Sequence, residues 1–147
     1  MKKEQLQYLV RGDQLRRRTP DREKIKSMIE SSLATMSVVK TIPLTDASAT
    51  LIFRESYESI RQLGDARWWL LGYEPQNHEV SMNILKEMNL HEKSKLNHLN
   101  RFRIIRNDVN YRGFKVTTAQ AQEIQGFWET CSTEIISFLQ QELNSLC

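Results

Sequence analysis

Cysteine, proline and glycine are scarce in this chain: two, three and five residues out of 147. The two cysteines, Cys131 and Cys147, fall far apart in one predicted helix, so a disulfide within the chain is not expected. No CxxC spacing suggests zinc or thioredoxin chemistry. With so few helix breakers, and with long periodic segments, an all-α domain is expected. Long apolar runs are missing too: none approaches the roughly 20 residues needed to span a bilayer. The opening "MKKEQLQYLV" has a basic start but neither a long apolar core nor a small-residue cleavage site. A cytoplasmic protein with no membrane segment is the expectation. There is no glycine-rich phosphate loop, and Ser81 and Ser132 lack the histidine–acid company of a triad. Internal repeats and low-complexity tracts are absent from the sequence as well.

What is present suits one globular domain: 39% hydrophobic and 27% charged residues. The net charge of +3 is unevenly spread. Residues 1–26 hold nine Lys/Arg against four Asp/Glu, and residues 97–115 hold five against one. Residues 118–147 hold four Glu and no Lys or Arg. A basic strip and an acidic end helix follow from this, either as a site for an anionic partner or as a solvated surface. "RGD" at 11–13 matches a cell-adhesion tripeptide only by chance, and "RRR" at 16–18 is either a solvated tail or a nucleic-acid contact.

Along the chain, residues 1–19 read as a basic N-terminal extension or short helix, over about 2–10, and 20–147 as a single helical domain. Thr19-Pro20 looks like a helix start, with Asp21 and Glu23 in the first turn, and this helix runs to about 38. The second spans about 45–71, with Ala49, Ile52, Phe53, Ile60, Leu63, Leu70 and Leu71 on a near-3.6 repeat, a bend at Gly64 and an end at Gly72. The third, about 78–89, carries Val80, Ile84 and Met88. The fourth covers about 93–110. The last, about 118–145, has a stripe from Ile124 through Phe127, Cys131, Ile135 and Leu139 to Leu146. The expected fold is an up-and-down bundle of four to five helices. Trp68 and Trp69 point about 100° apart on a helix, so one is expected in the core and the other at an edge or subunit contact. His78, His91 and His98 read as surface residues, and no metal site or cofactor is expected.

The stretch "RFRIIRNDVNYRG", 101–113, poses a problem. Leu99, Phe102, Arg106 and Asn110 share one helical face, flanked by Arg103 and Asn107. That face starts apolar and turns polar, and it carries an arginine where burial is expected. A buried guanidinium cannot shed its charge, so it needs a carboxylate, a carbonyl or a phosphate. Asn110 would cap the helix end and Gly113 terminate it.

"FRIIRNDVNYRG" resembles the signature region of the HEPN domains, in which an arginine and a polar residue precede a histidine four to six residues on. "ARWWLLGYEPQNH", with its "GY.P..H" turn, is similar to the family as well. The resemblance spans roughly residues 20–145. It implies a helical homodimer of the toxin–antitoxin or defence type. Two motif copies would meet in one RNA site, with a nucleotidyltransferase antitoxin as a partner. Active members cleave RNA without metal. Arg106 falls on the motif arginine and Asn107 on the polar residue, but Tyr111, Arg112 and Gly113 occupy the positions open to the histidine. No Arg-x4–6-His occurs anywhere in the chain. The resemblance therefore implies an RNA- or nucleotide-binding protein with catalysis weakened or lost. Arg103, Asn107, Asn110 and Arg112 would surround Arg106. One alternative is an active ribonuclease in which Tyr111 takes part of the histidine's role beside Arg106. The other is a non-catalytic interaction module.

Overall fold

A computed structural model describes residues 1–146 and shows an all-α helical bundle of six helices. They are α1 (Lys3–Arg11), α2 (Arg22–Val39), α3 (Ala49–Leu70), α4 (His78–Asn83), α5 (Leu99–Arg112) and α6 (Thr118–Asn144). α3 is the central element and packs most extensively on α2 and α6. Its Ile52, Phe53, Ile60 and Leu63 are buried as the periodicity predicts, but Leu71 is 42% exposed, because the helix ends at Leu70 and leaves it outside the core.

Local chemistry explains the helix ends. Asp21 is the N-cap of α2 rather than a first-turn residue: its carboxylate accepts the Lys24 N–H at 3.1 Å. Asn77 caps α4 in the same way, accepting from Val80 N–H at 2.9 Å. Thr117 and Gln120 form a reciprocal capping box on α6. Gly113 ends α5 in the left-handed conformation, φ 69°.

Three expectations need correction. The short helix expected over about 2–10 forms as α1, but residues 15–17 do not belong to an extension: Leu15–Arg17 (β1) pairs antiparallel with Tyr73–Pro75 (β2), and Leu15 is buried in the core. Arginines 16 and 18 of the "RRR" run face Asp13 and Glu74. Three-residue strands are too short to show a period-2 pattern, so this ribbon was invisible in the sequence. Second, the third and fourth predicted helices are each part 3₁₀, at Ile84–Glu87 and Lys93–His98. Buried Ile84 and Leu85 anchor the first of these 3₁₀ turns in the core, and buried Leu96 anchors the second. Third, both tryptophans are buried within the chain. Trp68 donates its indole N–H to the Val80 carbonyl at 2.8 Å, and Lys24 of α2 covers the Trp69 ring at 4.3 Å.

α3 runs unbroken through Gly64. The glycine faces α4, where a Cβ would collide with the Ser81 carbonyl oxygen. Glycine is what lets α4 lie this close to α3, and that approach sets the position of His78. Cys131 is buried, and the expectation for Cys147 lies outside the described residues. No helix is long and apolar enough to cross a membrane among the described residues.

Candidate functional site

α5 enters the core through Leu99 and Phe102, both fully buried. The Phe102 ring meets Phe53 of α3 edge-on at 6.2 Å and Phe127 of α6 at 5.8 Å. One turn further along the same face stands Arg106, half-buried. Its guanidinium carbon lies 5.9 Å from the centre of the Tyr57 ring on α3. With the Asn110 amide turned so that its oxygen faces the arginine, that oxygen accepts from Nε at 3.0 Å and from Nη2 at 3.1 Å. Among the described residues no carboxylate pairs with Arg106 or with Arg103. Asn110 therefore orients the arginine as well as sitting near the helix end.

The facing wall comes from α3 and α4. Tyr57 is 1% exposed and its ring lies 5.9 Å from that of His78, the first residue of α4. Arg61, one turn along α3, is clamped between Glu58 and Asp65: Nε reaches Glu58 Oε2 at 3.0 Å and Nη1 reaches Asp65 Oδ2 at 2.5 Å. Ser81 of α4 donates to the other Asp65 oxygen at 2.5 Å, which ties α4 to this network.

These neighbours set the ionisation of the site. Burial pushes the Tyr57 phenol up to about 12, although Arg106, Arg103 and Arg61 pull it down, so it is a neutral donor. Burial lowers the His78 imidazole, and the positive charges of Arg61 and Arg106 lower it further against the opposing pull of Glu58. His78 is thus a neutral base at neutral pH. Burial tends to raise Glu58, but the hydrogen bonds and charge of Arg61 prevail and hold it below the usual carboxylate range. Burial wins at Asp65, whose carboxyl stands above that range despite Arg61 and Ser81.

Four buried side-chain polar atoms have no partner among the described residues: Ser56 Oγ, Tyr57 Oη, His78 Nδ1 and Arg103 Nε. Three of the four sit around the Tyr57 ring beside Arg106. Buried polar groups are nearly always paired, so this concentration marks a place where a missing partner belongs. Arg103 donates from Nη2 to Asn100 at 2.9 Å, which leaves its Nε facing inward unpaired.

Of the residues singled out in the sequence, the structure gathers Arg103, Arg106 and Asn110 here, and Asn107 is half-buried on the same helix. Tyr111 is 80% exposed, and it lies about 140° around α5 from Arg106. Arg112 is exposed, 4.0 Å from Asp108. Tyr57, Arg61 and His78 were missed as site residues. His78 did figure in the "GY.P..H" stretch, but a spacing rule along one helix cannot find a histidine carried by another. His98, read as a surface residue, is half-exposed and bonded to Glu123 at 2.9 Å. A separate concavity of about 900 Å³ is lined by other residues, among them Met1, Leu71, Met88 and Phe138. Its charged groups are largely engaged: Arg67 stacks on Phe138 and Glu134 accepts the His91 N–H. It holds none of the orphaned atoms, so the chemistry points to the Tyr57 cluster. Comparison of the chain with protein-family models, with curated proteins and with solved structures gives no match.

Proposed function

We propose that this chain is a HEPN-like RNA-binding protein of the toxin or defence type, acting in the cytoplasm, that grips a backbone phosphate with Arg106 and Arg103. The observation that carries this reading is the missing ion pair: a half-buried guanidinium is held in place by a neutral amide and an aromatic ring, with no carboxylate in direct contact among the described residues. Phosphate is the ligand a fixed arginine fork suits best. The excess of basic residues over 97–115 supports the same ligand class. Asn107 and Arg112 follow Arg106 on α5 and would add polar contacts to the same strand, and exposed Tyr111 is available to stack on a base. Ile104 and Tyr111 are exposed on one face of α5, with Phe114 just beyond it, and this stripe is where a homodimer would form.

Fluorescence anisotropy with a short single-stranded RNA, titrated with salt, tests the reading. Affinity should fall about tenfold in Arg106→Ala. The salt slope should also shrink, by about 0.7 for each phosphate that the protein no longer neutralises. Affinity untouched by both Arg106→Ala and Arg103→Ala would overturn the reading. No RNA affinity, together with stability that depends on a nucleotidyltransferase, would favour the interaction-module alternative.

A further inference from the structure

We propose that the concavity between α1, α3 and α6 binds a monocarboxylate with a medium-length hydrocarbon tail, its carboxylate seated on Arg67. The inference is independent of the phosphate reading, because this concavity shares no residue with the Tyr57 cluster.

The walls come from element ends and turns. α3 stops at Leu70, so Leu71 lines the concavity while 42% exposed. The first 3₁₀ turn supplies Ile84, and Met88 follows it; both are buried. α6 adds Phe138 and α1 adds Leu6. α1 has no fully buried residue of its own, so it covers this side of the core lightly. At about 900 Å³ the space lies in the range of small-molecule sites, and its lining is mostly apolar.

Arg67 gives this apolar space a place for a charged headgroup. Its guanidinium carbon stands 4.8 Å from the centre of the Phe138 ring. Stacking engages a face of the guanidinium and leaves the N–H donors at its edge available. Among the described residues Arg67 makes no hydrogen bond and no ion pair. Burial lowers its pKa, although Glu142 and Glu87 act the other way through space. A half-buried guanidinium with unfilled in-plane donors suits a carboxylate, which accepts two N–H bonds at once.

The acidic residues nearby decide which anion fits. Glu134 accepts the His91 N–H with both oxygens, at 3.0 and 2.9 Å, and Glu87 faces the Met1 ammonium at 2.7 Å. Their charges are thus matched, and Arg67 carries the lining charge that is not. A monoanion cancels that single charge. A phosphate dianion leaves surplus negative charge beside Glu87 and Glu134, which is unfavourable in a half-desolvated space. The apolar walls then favour, among monoanions, one with a hydrocarbon tail.

Isothermal titration of the full chain with sodium octanoate tests this, beside acetate (the headgroup alone) and 1-octanol (the tail alone). Octanoate should bind saturably, one per chain, and acetate and 1-octanol each at least about tenfold more weakly. Arg67→Gln keeps a planar group beside Phe138 but removes the charged fork, and should weaken octanoate about tenfold. Leu71→Asp sets a negative charge at an already exposed position and should weaken it comparably. Arg54→Gln, which alters an exposed arginine at the opposite end of α3, should bind like wild type. Every variant is checked for folding by circular dichroism. Hydrogen exchange in wild type should slow at α1 and over residues 84–90 when octanoate is bound, which locates the site without any variant. No saturable binding at about 10 mM octanoate overturns the inference. So does 1-octanol binding as tightly as octanoate, undiminished affinity in folded Arg67→Gln, or exchange unchanged at both α1 and 84–90. None of these outcomes touches the RNA-binding reading, which stands or falls on Arg106 and Arg103.

Discussion

Arg61 and Arg106 stand on neighbouring helices around one tyrosine, both half-buried, and the fold treats them in opposite ways. Arg61 lies between two carboxylates, and the second of these is anchored by Ser81. Arg106 has an amide and a ring. A partly desolvated guanidinium is costly unless its charge is matched. The Arg61 side of α3 is thus a closed network that holds α4 in place. The Arg106 side is open and collects orphaned atoms from three helices. Structure and function divide over about one turn of α3.

The sharpest way to break this comparison is to force α4 off α3. Gly64→Ala puts a methyl into the Ser81 carbonyl and should cost about 3 kcal/mol in urea denaturation. Next, the two arginines should separate in stability. Arg61→Ala strands Glu58 and Asp65 and should cost roughly 1–3 kcal/mol, discounted for partial exposure. Arg106→Ala leaves no carboxylate behind and should change stability by less than about 1 kcal/mol while RNA affinity falls about tenfold. Equal losses of stability in the two variants would erase the distinction.

A smaller effect comes from His78 and pH. Its folded pKa lies below the ordinary 6.5, so the folded state resists a proton that the unfolded chain accepts. Its contribution to stability is complete above about pH 6.5 and is lost as pH falls through the folded value. Thermal unfolding of wild type should therefore weaken over that acidic window relative to His78→Asn, with a slope no greater than about 1.4 kcal/mol per pH unit. Bound RNA, which favours the imidazolium, should flatten the slope. The smallest change is expected from Tyr57→Phe. Its hydroxyl has no protein partner to lose, so denaturation should move by no more than about 1 kcal/mol. A larger drop would show that the hydroxyl already holds a water or an ion.

The legible part of this molecule was local. Gly72 and Gly113 sit at element ends as expected, and the stripes of α3 and α6 are the core. Arg106 was recognisable as anomalous because Leu99, Phe102 and Asn110 share its helix, and a helical wheel relates residues on one helix reliably. The same wheel could not say what faces Arg106. It allowed a carboxylate as readily as a phosphate, and it set Tyr111 beside the arginine only in sequence. Nothing in the local pattern of its helix marks Tyr57. His78 read as a surface histidine in a turn.

By itself, then, the sequence determined an all-α bundle, most of its helix ends and the presence of a charged residue on a burying face, since periodicity and capping act within a few residues. Only the tertiary structure decided that Arg106 goes without a carboxylate, that Arg61 takes both of its acidic neighbours, and that α4 delivers His78 to the same ring. Those are contacts between separate helices, set by packing angles and by one missing Cβ at Gly64, and no spacing along the chain encodes them.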